Sequence, residues 1–98
     1  MINSFEILKF KIFNDLLLKK YFITNGINYG GDFLIYKDDP IKVHSFSILI
    51  ILKCNEFNIN FLQESIRISN NVNKSLVLCF NNENDELQYL NFNFENLL

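Results

Sequence analysis

Two short, almost unbroken apolar runs, SFSILIIL (residues 45–52) and SLVLCF (75–80), constrain the fold more than anything else in this chain. A strand with one wet face alternates apolar and polar residues. A run without alternation belongs to a strand covered on both faces. Between the two runs, residues 57–70 return to helical spacing, with Phe61, Leu62, Ser65, Ile66 and Ser69 on one side. Upstream, Phe5, Leu8, Ile12, Phe13 and Leu16 repeat at the same spacing, which predicts an amphipathic helix over residues 4–20 with Ser4 as its N-cap. TNGINYGG holds all three glycines of the chain and predicts a tight turn with a short strand. DFLIY is a strand and KDDP a turn, where Pro40 limits Asp39 to extended backbone. NNENDE is a polar loop, and LQYLNFNF alternates by twos, as a half-covered strand does. Helix, strands, helix, strands is an α/β order: a mixed β-sheet flanked by helices, in one domain spanning residues 1–98.

Charge excludes little and promises little. Nine basic against 11 acidic residues leave a formal charge of −2, which does not advertise nucleic-acid binding by the chain as a whole, although a local patch or a partner could supply it. Cys54 and Cys79 match neither a metal spacing nor a disulfide framework. Cys79, inside SLVLCF, reads as a small buried apolar residue, and unpaired cysteines fit a reducing compartment. The start of the chain, MINSFEILKFKIF, lacks the continuous apolar core and the cleavage site of a signal peptide. The longest apolar run, Ile48 to Leu52, is too short to span a bilayer.

The chemically suggestive residues sit at predicted strand ends. Tyr36 closes DFLIY, His44 (the single histidine) opens the next strand, and Lys74 opens the LVLC strand. Each alone has a plain structural reading: a packing tyrosine, a satisfied polar histidine, a solvated lysine near a helix C-terminus. Gly30 and Gly31 form a turn rather than a phosphate loop, because no helix comes after them. Asp38 and Asp39 are adjacent and point different ways, so they read as turn residues rather than metal ligands.

Several stretches together resemble the catalytic domain of the tRNA-splicing (tRNA-intron) endonuclease family. They are KIFNDLLLKKYFIT, NYGGDFLIYKDDPIKVHS, Arg67 with VNKSLVLC after it, and QYLNFNF. GGDFLIY followed by DP and VHS is the most specific of them. Within the family, the short Tyr-to-His turn and the LVLC strand look closest to the eukaryotic catalytic subunit assigned to the 3′ splice site. The resemblance implies a restriction-endonuclease-like fold and metal-free cleavage of precursor tRNA, with no cofactor. It implies Tyr36 as general base on the 2′-hydroxyl, His44 as general acid on the leaving 5′-oxygen, and Lys74 as the cation facing the transition state. The products would be 2′,3′-cyclic phosphate and 5′-hydroxyl ends. The residue types suit that chemistry: the nucleophile belongs to the substrate, so the protein moves two protons and neutralises charge. A phenol is a weak base unless a cation such as Lys74 lies near it.

The same resemblance implies that Arg67 and Phe94 hold a flipped-out intron base by stacking. It implies a heterotetramer of related chains joined by C-terminal strands, and a nucleus-like compartment. Two departures stand out: Asn73 occupies a position that is often Arg, and the usual N-terminal domain is expected to be absent. Two competing readings remain open. One is a non-catalytic structural subunit of the same assembly. The other is a metal-dependent nuclease of related fold, for which no carboxylate cluster is found.

Overall fold

The computed structural model describes residues 3–52 and 58–92. Helix α1 (Ser4–Leu18) is followed by strand β1 (Phe22–Asn25), a single 3-10 turn (Ile27–Tyr29), β2 (Phe33–Tyr36), β3 (Ser47–Ile51), helix α2 (Ile59–Asn71), β4 (Ser75–Asn81) and β5 (Leu87–Phe92). The five strands form one sheet in the order β1-β2-β3-β4-β5. Every pair is antiparallel except β3 with β4, whose parallel pairing requires the α2 crossover between them. The mixed α/β sheet expected from the sequence is present.

Each helix covers one face. On one side Ile12 and Leu16 of α1 meet Phe33, Ile35, Leu49 and Val77. On the other, Leu62 and Ile66 of α2 meet Ile50, Leu76 and Leu78. The central strand β3 is therefore buried at all five positions, which is why its sequence does not alternate. Cys79 is fully buried in the α1-side core, and burial pushes its thiol up to about 12, so it packs rather than reacts.

Several boundaries differ from the sequence expectation, each for a local reason. The N-cap of α1 is Asn3, not Ser4: the Asn3 side chain accepts from the Glu6 amide at 2.8 Å. The helix stops at Leu18 rather than residue 20, because Lys20 turns left-handed at φ 69° and Tyr21 N–H returns to the Leu16 carbonyl. The second helix begins at Ile59, capped by Asn58, and runs to Asn71. The first strand precedes the glycines instead of lying among them. Nor is α1 cleanly amphipathic: Ile7, Phe10, Leu17 and Leu18 are exposed. Cys54 lies outside the described residues.

Gly31 sits where a side chain cannot. A Cβ there would come within 2.5 Å of Ile48 Cγ2 and 3.2 Å of the Leu49 carbonyl. The neighbouring Asp32 carries the contact onward, its amide donating to Leu49 O and its carboxylate accepting from Ile51 N–H at 2.7 Å. The GGD stretch is thus a clamp between the β1–β2 connection and the edge of β3.

Candidate active site

Register decides which strand ends meet. Ile35 of β2 pairs with Ser47 of β3, and Ser47 pairs with Ser75 of β4. Tyr36, Phe46 and Lys74 stand one residue beyond this row, on neighbouring strands spaced about 4.8 Å apart. The row is tied at this end by Phe46 N–H to Ile35 O, by Ser75 N–H and the Ser75 hydroxyl to Phe46 O, and by a hydroxyl pair between Ser47 and Ser75. The end of β2 and the starts of β3 and β4 therefore form one edge.

Tyr36 is half-buried at the end of β2. By strand alternation it lies on the α2 face with Leu34, opposite Ile35. Thr24, on the same face of β1, donates its hydroxyl to the Tyr36 phenol oxygen at 3.0 Å. Lys74 follows the C-terminus of α2, where its amide donates to Ser69 O. Its side chain is partly buried, and Nζ donates to the backbone carbonyl of Ser45 at 2.8 Å. The same ammonium lies 5.7 Å from the centre of the Tyr29 ring. Desolvation holds the Lys74 amine below its usual pKa.

His44 is exposed. It does not open β3, as the sequence suggested, but stands three residues before Ser47 on the segment joining β2 to β3. That segment is built by Asp39, whose carboxylate accepts from Ile41 N–H and whose carbonyl accepts from Lys42 and Val43. Asp38 accepts from the Asp39 amide, so both carboxylates act as turn caps. His44 immediately precedes Ser45, the residue whose carbonyl holds Lys74. One peptide step therefore links the histidine to the lysine's anchor.

Arg67 is not drawn into this edge. It projects from the exposed side of α2, opposite buried Ser65 and Ser69, and pairs with Glu64 at 3.2 Å. With Asn60 and Gln63, the pair lines a shallow surface hollow. Phe94 lies outside the described residues. Among the described residues, no group of three or more His, Cys, Asp and Glu side chains is placed to hold a metal ion. No helix there is long and apolar enough to cross a membrane.

Sequence reasoning missed Thr24 and Tyr29. Their roles depend on cross-strand register and on the path of the glycine turn, and neither leaves a local signature in the chain.

This end of the sheet carries a phenol and a desolvated ammonium, and the segment joining β2 to β3 an exposed imidazole, groups able to move protons and to face negative charge. Residues 6–89 match the catalytic C-terminal domain of tRNA intron endonucleases, and the chain belongs to that family. Among its relatives, the tRNA-splicing endonuclease of Saccharolobus solfataricus is 32% identical over 93 residues, covering 93% of this chain and 50% of that protein. The tRNA-splicing endonuclease subunit Sen34 of Mus musculus is 26% identical over 91 residues, covering 92% of this chain and 29% of the mouse protein. The human Sen34 subunit is 27% identical over 94 residues, covering 92% and 29%. The chain thus spans half or less of the length of these relatives.

Proposed function

We propose that this chain is a catalytic part of a tRNA-splicing endonuclease. It cleaves precursor tRNA at an intron boundary, the 3′ one, without metal, and leaves 2′,3′-cyclic phosphate and 5′-hydroxyl ends. The observation that carries the reading is positional: Tyr36 and Lys74 stand one residue beyond the same cross-strand row, and His44 is exposed on the segment between them.

In this reading Tyr36, entering as phenolate beside the Lys74 cation, takes the proton of the 2′-hydroxyl, and the 2′-oxygen attacks the adjacent phosphorus. The bond from phosphorus to the 5′-oxygen breaks, and His44, entering as imidazolium, delivers its proton to that oxygen. Lys74 faces the negative charge that builds on the non-bridging oxygens. Acid and base belong on opposite sides of the phosphate for an in-line displacement. In this reading the β2–β3 segment sets Tyr36 and His44 on opposite sides of the phosphate. Arg67 and Phe94 hold an intron base beyond the reacting phosphate. Related chains complete the assembly by pairing along the C-terminal edge, where β5 is the outer strand of the sheet.

Archaeal endonucleases and the mammalian Sen34 subunits are similar to this chain at comparable identity, so the choice of boundary rests on experiment. The test is cleavage of an end-labelled, intron-containing precursor tRNA by the assembled endonuclease in excess EDTA. His44→Ala is introduced in this chain alone. Loss of the 3′ cut with the 5′ cut intact, and cyclic-phosphate ends from the wild type, supports the full reading. Loss of the 5′ cut alone reverses the boundary. Survival of both cuts makes the chain a structural subunit. Silence of the wild type until metal is added overturns the metal-free chemistry.

A further inference from the structure

A lysine ammonium on a flexible four-carbon stem is a poor electrostatic catalyst unless something holds it still. Lys74 is held on two sides. Of its three N–H donors, one is used by the Ser45 carbonyl at 2.8 Å. On another side the Tyr29 ring centre lies 5.7 Å away, inside the range where an aromatic face attracts a cation. Two glycines directly after Tyr29 bring it to this position. Gly30, at φ 73°, reverses the chain at the end of the 3-10 turn, where a Cβ would stand 3.9 Å from Ile68 Cδ1 of α2. Gly31 then presses onto Ile48 and Leu49, closer than any side chain would allow. The turn is thus pinned to β3 through Gly31, and Tyr29 is half-buried beside the ammonium.

We infer that Tyr29 is a positioning residue for cleavage: its ring and the Ser45 carbonyl form a two-sided seat that aims the Lys74 ammonium at the scissile phosphate. The inference rests on the proposed role of Lys74. The ring supplies attraction without a hydrogen bond, so it holds the charge and leaves the remaining N–H groups for phosphate oxygens. An acidic partner in the same place would neutralise the lysine, whereas a ring does not. The seat also couples the two ends of the site, because the carbonyl belongs to the residue after His44.

The test is a double-mutant cycle on the assembled endonuclease, read as single-turnover cleavage of precursor tRNA over a range of enzyme concentrations. Tyr29→Leu is expected to slow the saturated rate about tenfold, within the range a partly desolvated ring contact can supply, with half-saturation unchanged. Tyr29→Phe is expected to stay within about twofold, since the ring face is kept. In a Lys74→Ala background Tyr29→Leu is expected to have no further effect. Equal slowing in both backgrounds, or no slowing in the first, overturns the inference. Should Tyr29→Leu lower the melting temperature, phenylalanines carrying successive ring fluorines at position 29 keep the shape and weaken the ring's negative face. A graded fall in rate supports the seat, and a flat response overturns it. If Lys74→Ala alone cleaves like the wild type, the role of Lys74 fails and the seat with it. That outcome is distinct from one in which only Tyr29 proves silent.

Discussion

His44, Tyr36 and Lys74 are unequal under mutation because they are unequally buried. His44 is exposed and makes no hydrogen bond to another described residue, so the fold does not depend on it. His44→Ala is expected to leave the urea midpoint unchanged while cleavage falls about 10²- to 10⁴-fold, the usual worth of a general acid. Chemical denaturation beside single-turnover cleavage checks both halves. Thr24 offers a finer probe, because its hydroxyl donates to the Tyr36 oxygen. Thr24→Val is expected to slow cleavage about three- to tenfold, the equivalent of one hydrogen bond. A rate equal to wild type would mean that Tyr36 needs no such support. The candidates Tyr36, His44 and Lys74 were named by the resemblance to the family, since as strand-end residues alone each has a plain structural reading. Thr24 was not legible, because its bond to Tyr36 exists only through the pairing of Phe22 with Tyr36 and of Thr24 with Leu34.

Elements carry the next set of consequences. The β1–β2 connection depends on Gly31, whose missing Cβ makes room for Ile48. Gly31→Ala is expected to cost about 1–3 kcal/mol, the range for forcing a methyl into a packed site, measured as a shift of the urea midpoint. On the other face, α1 is fastened to β5 by Tyr89, whose hydroxyl donates to Asp15, with Lys19 pairing to the same carboxylate at 2.9 Å. The Tyr89 hydrogen bond, and after it the one from Lys19, holds the Asp15 carboxyl below its ordinary 3.8. A depressed carboxyl stabilises the fold fully above the unfolded value, and that stabilisation is lost as pH falls through the lower folded value. Tyr89→Phe is therefore expected to lose up to about 1 kcal/mol at neutral pH, discounted because the pair is partly exposed. The deficit should shrink in acid below 3.8, where Asp15 is increasingly protonated in the wild type as well. Parallel denaturation curves at neutral and acid pH decide this. Element types were readable from periodicity, since burial on both faces erases alternation in β3 and β4. Element ends were not, because caps such as Asn3 and Asn58 and the left-handed Lys20 depend on single backbone angles.

The whole molecule is acidic overall, with a formal charge of −2, so on the proposed function the electrostatic share of RNA binding would be local or come from associated chains. This chain alone is expected to bind precursor tRNA weakly, with a shallow fall in affinity as salt rises, measured by filter binding across a salt series. Tight binding with a steep slope would place a large phosphate-contacting surface on this chain. Charge counts could be read directly from the sequence, but the mixed sheet's parallel pair could only be inferred from two buried runs flanking a helix. That pair also sets the order in which the molecule can become competent. The hairpins β1–β2 and β4–β5 are local and close over short loops, whereas Ser47 and Ser75 are 28 residues apart in the chain. Loop closure over such a distance is slower than hairpin formation, so the β3–β4 seam is expected to close after the hairpins. Tyr36 and His44 lie before the crossover and Lys74 after it. On the proposed roles, a chain emerging from the ribosome would carry the proposed base and acid without the proposed cation until the seam closes, and cleavage is expected only after that.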